Sequence, residues 1–144
     1  MTRRFGFVII ALIAGAAFAP RPAQAEIYAT TEAMCEEAAR ASPPRAGQDA
    51  VVMKEACQTA AVGRMKRAAR LTGAAKQQEV LMEATYLYFS AEGAARSNNK
   101  DFAVRTLLMS RDLYRGVRDH PASATMRRKG QLGLDTVSRT LVKR

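Results

Sequence analysis

The residues of this chain with the clearest chemical potential are cations. Arg111, Arg115 and Arg118 recur at the spacing of a ladder along one helical face. Lys66, Arg67 and Arg70 form a second group, and Arg127, Arg128 and Lys129 a third. A guanidinium presents a planar fork of donors that matches a carboxylate or a phosphate, so such groups facing one groove would grip an anion. A solvated helix surface accounts for any one cluster taken alone. Three of them in 144 residues point to an anionic partner. The candidate binding residues are therefore Arg111, Arg115, Arg118, Lys66, Arg67, Arg70, Arg127 and Arg128.

Candidates for catalysis are fewer. His120 is the only histidine and stands between Asp119 and Pro121. A general base oriented by Asp119 would need a nucleophile or substrate proton within reach, and no such partner stands at a readable spacing. A solvated imidazole at a helix C-terminus, where positive charge is favoured, explains His120 without catalysis. Glu79 and Glu83 lie one helical turn apart and could form a carboxylate pair, with Lys76 placed to screen either of them. The chain has no Gly-rich phosphate loop, nucleophile elbow or metal-binding helix motif. No catalytic residue, metal or cofactor is expected from this pattern.

Cys35 and Cys57 are the two cysteines. Two Cys and one His are too few for an ordinary metal site, and no Cys-x-x-Cys spacing occurs. An even count in a small exported chain instead predicts one structural disulfide. Export is itself an expectation from residues 1–25. Arg3 and Arg4 give a positive start, Phe5 to Ala19 is an unbroken apolar run, and Ala23-Gln24-Ala25 offers a small-x-small cleavage site. The run is shorter than the roughly 20 residues that span a bilayer, so a cleaved signal peptide is expected and no transmembrane segment after it. Thr2-Arg3-Arg4 resembles a twin-arginine start, but Gly6 departs from that motif and the strong apolar run favours the general secretory route. The predicted address is periplasmic or secreted.

Cleavage would remove Arg3, Arg4 and Arg21, lowering 23 basic residues to 20 against 13 acidic ones, a net charge of about +7. Nucleic acid is not an expected partner in that compartment. An acidic protein or an anionic envelope component fits better. Residues 26–144 are enough for one compact domain and too few for two ordinary ones.

The elements that must position these residues are helical. Val80, Ala84, Leu87, Ala91 and Ala95 fall on one face of a predicted central helix, and Met82, Tyr86, Phe89 and Gly93 on another. Apolar residues on two faces mean a helix covered from both sides. Around it the spacing predicts a first helix from about Thr31 to Ala41, preceded by a loose lead-in at Glu26 to Ala29 and capped by Thr30 or Thr31. A second helix follows Gly47-Gln48-Asp49 and reaches about Leu71, with Met53, Cys57, Ala60, Ala61, Ala68 and Leu71 inward. Arg64 interrupts that stripe beside Gly63, which marks either a bend or an ion pair with Glu36 or Glu37. The central helix spans about Ala74 to Ser97. A fourth helix, capped by Asn99 or Asp101, turns Ala103, Leu107, Ser110, Tyr114 and Val117 inward, widened by Phe102, Met109 and Leu113. It ends at Asp119-His120-Pro121. The last helix starts near Ala122 to Thr125 with Met126, Leu134, Val137 and Leu141 inward, and Gly130 and Gly133 weaken its first half. No stretch alternates apolar and polar residues as a strand would.

Leu87, Ala91, Ala94, Ala103, Leu107 and Ser110 follow a large-small-small, Ala-large-small rhythm. The hairpin they form resembles a tetratricopeptide-type repeat in its packing. Asn98-Asn99-Lys100 replaces that motif's turn, Pro121 comes several residues late, and one hairpin stands where such arrays use three or more. The fold expected is all-α: a compact bundle of about five helices with a tetratricopeptide-like hairpin and one disulfide, behind a cleaved signal peptide.

These features predict a small exported helical binding or adaptor protein, without catalysis, that meets an acidic protein or anionic envelope component through its Arg-rich face. The alternatives are a cofactor-free envelope hydrolase using Glu79, Glu83 or His120, and a structural subunit of a homo-oligomer that buries Val104 and Leu108. The oligomeric state is not legible in the sequence.

Overall fold

The computed structural model describes residues 22–144, with side chains from residue 26 onward. Among the described residues there are five α-helices and no strand. They are α1 (Pro22–Arg40), α2 (Gly47–Ala68), α3 (Gly73–Arg96), α4 (Lys100–Asp119) and α5 (Ala124–Val142). Most of the expected leader, residues 1–25, lies outside the described residues.

The helix boundaries follow from local chemistry, with two corrections. α1 is already helical at Pro22, where the described residues begin, nine residues before the predicted start. The expected lead-in at Glu26 to Ala29 is therefore helical. Thr30 and Thr31 are not caps. Their hydroxyls donate back to the carbonyls of Glu26 (2.9 Å) and Tyr28 (3.0 Å), as threonines do inside a helix. α2 stops at Ala68, short of Leu71. Its last carbonyls are taken by the amides of Ala69, Arg70 and Leu71 in a tightened turn, and Leu71 is left 38% exposed. Gly73, with φ of 59°, then reverses the chain. Asn99 caps α4 by accepting from the Phe102 amide (3.3 Å), and Ser123 caps α5 by accepting from the Met126 amide (3.2 Å).

Each helix packs antiparallel on the one before it, and α3 lies in the middle, as its two apolar faces predict. One core joins Cys35 and Ala38 of α1 with Met53, Cys57, Ala60 and Ala61 of α2 and Tyr86 and Leu87 of α3. The other joins Leu81, Ala84 and Ala91 of α3 with Leu107, Tyr114 and Val117 of α4 and Leu134 and Val137 of α5. The Cys35–Cys57 disulfide pins α1 onto α2 with Cα atoms 4.8 Å apart. Met109, expected to widen the α4 core face, is 57% exposed. It lies about 60° of helix rotation outside the arc from Thr106 to Leu107 that the neighbouring helices cover.

Small residues set the distances between helices. A Cβ added at Gly93 of α3 would stand 2.7 Å from the Lys54 amide nitrogen of α2. Ser90 Oγ donates to the Lys54 carbonyl (2.8 Å) and Ser110 Oγ to the Ala84 carbonyl (2.7 Å), so these hydroxyls satisfy themselves at the α3 interfaces. Gly130 and Gly133, which weaken α5 as an isolated helix, are what let it settle onto α4. Their added Cβ atoms would meet the Arg118 amide nitrogen at 2.8 Å and the Tyr114 ring at 2.2 Å.

Candidate binding site

Antiparallel succession decides which cations can meet. Gln77 near the start of α3 donates to the His120 carbonyl (2.7 Å) and accepts from the Ala122 amide (2.8 Å), tying the α4–α5 connection to α3. Lys129 near the start of α5 donates to Gln78 Oε1 (3.2 Å). Arg64, late in α2, reaches Glu79, early in α3. The C-terminal parts of α2 and α4 and the N-terminal parts of α3 and α5 therefore share one end of the molecule. Lys66, Arg67, Arg70, Arg115, Arg118, Arg127 and Arg128 gather there, while Arg111 lies about two turns back along α4. Lys76 joins the same end, and the sequence marked it only as a screen for Glu79 or Glu83.

The cations at this end divide into paired and unpaired. Arg118 Nε bonds Asp119 at 2.8 Å, and Arg111 and Arg115 share Asp112 at 3.4 and 3.6 Å. The Arg118 bond holds the Asp119 carboxyl below the usual carboxylate range and raises the guanidinium in turn. Arg67 stands 3.7 Å from Glu32. Lys66 donates to the Tyr28 hydroxyl (2.8 Å) with its ammonium over that ring. Arg70, Lys76, Arg127 and Arg128 are exposed and have no ion-pair partner among the described residues, and Lys129 meets only the neutral Gln78. The three arginines of the α4 ladder thus share two carboxylates, and the cations without a carboxylate partner among the described residues sit at the helix ends around the α3 N-terminus.

Arg64 has a different task. Its guanidinium bonds both oxygens of Glu32 (2.7 and 2.9 Å) and Oε2 of Glu79 (3.0 Å), joining α1, α2 and α3. Partial burial pulls its proton affinity down, but the bonds to Glu32 and then Glu79 more than offset this and leave it above the ordinary range. The ion pair with α1 was legible, but the partner is Glu32 and not Glu36 or Glu37. Those two lie nearer the other end of α1, where Glu36 accepts from the Tyr86 hydroxyl (2.8 Å) and Glu37 meets Arg45 (3.5 Å).

Beside the basic end, a groove of about 380 Å³ runs between α3 and α5. Leu81, Met82 and Phe89 line it from α3, and Leu132 and Val137 from α5, with Tyr114 as its floor. Tyr114 can lie there because Gly133 has no side chain. Burial pushes its phenol above the ordinary range. At one end stand Gln78 and Lys129. At the other, α3 and α5 are bridged by Tyr88 to Thr140 (3.4 Å), and Arg144 meets Glu92 (2.9 Å). Nothing in the sequence pattern singled out this groove, since it depends on which faces of two non-adjacent helices lie side by side.

The residues considered for catalysis do not converge. His120 is exposed at the end of α4, and its neighbour Asp119 is engaged by Arg118. Glu79 is held by Arg64 and not by Lys76. Glu83 is half-buried, and desolvation raises its carboxyl above the ordinary range. Among the described residues no three metal-type ligands cluster, and neither cysteine is free. No described helix is long and apolar enough to cross a membrane. No protein-family model, no curated protein and no solved structure matches this chain, so its function has to be argued from its own residues.

Proposed function

We propose that this is a small exported helical binding or adaptor protein, without catalysis, that engages an acidic protein or an anionic envelope component. In this reading residues 1–25 are a signal peptide removed on export, and the α3–α4 pair packs in the manner of a tetratricopeptide-like hairpin. The observation that carries the reading is the set of exposed cations around the α3 N-terminus that have no ion-pair partner among the described residues: Arg70, Lys76, Arg127, Arg128 and Lys129. Uncompensated charge of one sign raises the local concentration of an oppositely charged partner and speeds its capture.

The test measures binding to vesicles containing phosphatidylglycerol and to polyglutamate, against neutral vesicles, over a range of salt. Each cation near an anionic surface contributes about 1 kcal/mol. The double change Arg127→Ser, Arg128→Ser should therefore weaken binding by roughly thirtyfold. Arg139→Ser, an exposed arginine toward the far end of α5, should change it little. Binding that ignores salt, or equal binding to neutral vesicles, would overturn the reading.

A further inference from the structure

The groove between α3 and α5 deepens this binding reading, on which it rests, by naming a ligand. We infer that it takes a single linear acyl chain whose anionic headgroup lies against Lys129. Its walls are aliphatic and aromatic, and its hydroxyls are already committed. Thr85 Oγ1 donates to the Leu81 carbonyl (2.8 Å), which leaves the Tyr114 hydroxyl to donate to Thr85 (2.7 Å). Thr136 Oγ1 donates to the Leu132 carbonyl (3.0 Å). An extended peptide laid here would bury amides with few groups left to pair them, a costly arrangement. A hydrocarbon chain carries no such groups.

Dimensions and charge agree. From Gln78 to Phe89 the α3 wall is about 16 Å long at the helical rise, the reach of a medium-length acyl chain. A helix of that length, about 10 Å across, would occupy over 1,000 Å³, far more than the groove holds. One end is bridged by Tyr88 and Thr140, and the opposite end carries the Lys129 ammonium. The occupant is thus polar at one tip only, and that tip is negative. Leu132, 68% exposed at the lip, is an apolar side chain that such a ligand would cover.

The experiment titrates the exported protein with dodecanoate below its micelle concentration, by calorimetry and by the fluorescence of its tyrosines, two of which line the groove. Saturable binding at one site is expected, tightening about fourfold per methylene from octanoate upward until the groove is full. Methyl dodecanoate should bind at least tenfold more weakly. Lys129→Glu, an exposed change that leaves the cores alone, should weaken dodecanoate binding at least tenfold, and Thr136→Trp should block it by filling the groove. Circular dichroism checks that both variants keep their helices. The inference is overturned if dodecanoate does not saturate, if the ester binds as well as the acid, or if folded Thr136→Trp binds normally. It is also overturned if an apolar peptide binds the groove where dodecanoate does not. Failure here with salt-sensitive vesicle binding intact leaves the broader reading standing, whereas loss of both removes it.

Discussion

The Arg64 clasp offers the sharpest test of how this fold is held. Arg64→Met keeps an unbranched apolar stem on α2 but removes the cation shared by α1 and α3. Glu32 and Glu79, with side chains only 14% and 17% exposed, would be left without it. Three hydrogen bonds of 2.7, 2.9 and 3.0 Å disappear together. Stranding a buried charge costs about 3–5 kcal/mol. Here each carboxylate keeps some contact with water, and Arg67 already stands 3.7 Å from Glu32. The low end, about 3 kcal/mol, is therefore expected. Urea unfolding followed by far-ultraviolet circular dichroism should show this as a lower midpoint with unchanged slope, and thermal unfolding as a fall of about 10 °C. Adding Glu32→Gln and Glu79→Gln to Arg64→Met should recover about half of the loss, because the stranded charges are then gone. A loss under about 1 kcal/mol, the scale of a solvated pair, would refute the clasp. A full loss untouched by the two glutamines would show that the cost lies in packing instead.

Three further outcomes follow from the structure. Replacing Cys35 and Cys57 together by alanine frees a separation of 22 residues in the unfolded chain and should cost roughly 3 kcal/mol in a chain-entropy account, measured by urea unfolding. Gly93→Ala should destabilise by about 2 kcal/mol or more, because its Cβ meets Lys54 backbone, whereas Gly116→Ala, with nothing within 4 Å, should stabilise by up to about 1 kcal/mol. Glu83 has a carboxyl raised by desolvation, so the folded state holds its proton more tightly than the unfolded one and loses stability as pH rises from 4.5 through the folded value. Glu83→Gln should accordingly raise the melting temperature at neutral pH, and the gain should vanish below pH 4.5; a gain equal at both would sink the assignment.

The position of each helix in the chain was mostly legible from turn chemistry. Asn99 and Ser123 cap where capping residues precede apolar periodicity, and the central helix declares its two neighbours by apolar residues on two faces. α1 was less legible. Thr30 and Thr31 are good caps in isolation, and only the continuation of the helix through Glu26 turns their hydroxyls back onto the preceding carbonyls. The register comes from the cystine: with Cys35 held against Cys57 in an antiparallel pair, Arg64, beyond Cys57, meets Glu32, before Cys35, and not Glu36 or Glu37, after it. Tyr28 then lies on Gly63, where an added Cβ would stand 2.9 Å from its ring. That glycine, which with Arg64 marks a bend or an ion pair in the sequence, is a seat for an aromatic side chain.

What the linear chain determined by itself is what depends on near neighbours: helical periodicity, caps, the proline stop after α1, the cysteine pair, and a strong excess of cations. Such features are set by interactions a few residues apart, so they survive without knowledge of the fold. Only the tertiary arrangement decided that Arg64 meets Glu32 and Glu79 and that Arg144 meets Glu92. It also gathered Arg70, Lys76, Arg127 and Arg128, which have no ion-pair partner among the described residues, at one end, whereas Arg111, Arg115 and Arg118 meet carboxylates one to three residues away on their own helix. The α3–α5 groove likewise exists because two glycines let α5 sink onto α4, a distance between helices that no periodicity encodes.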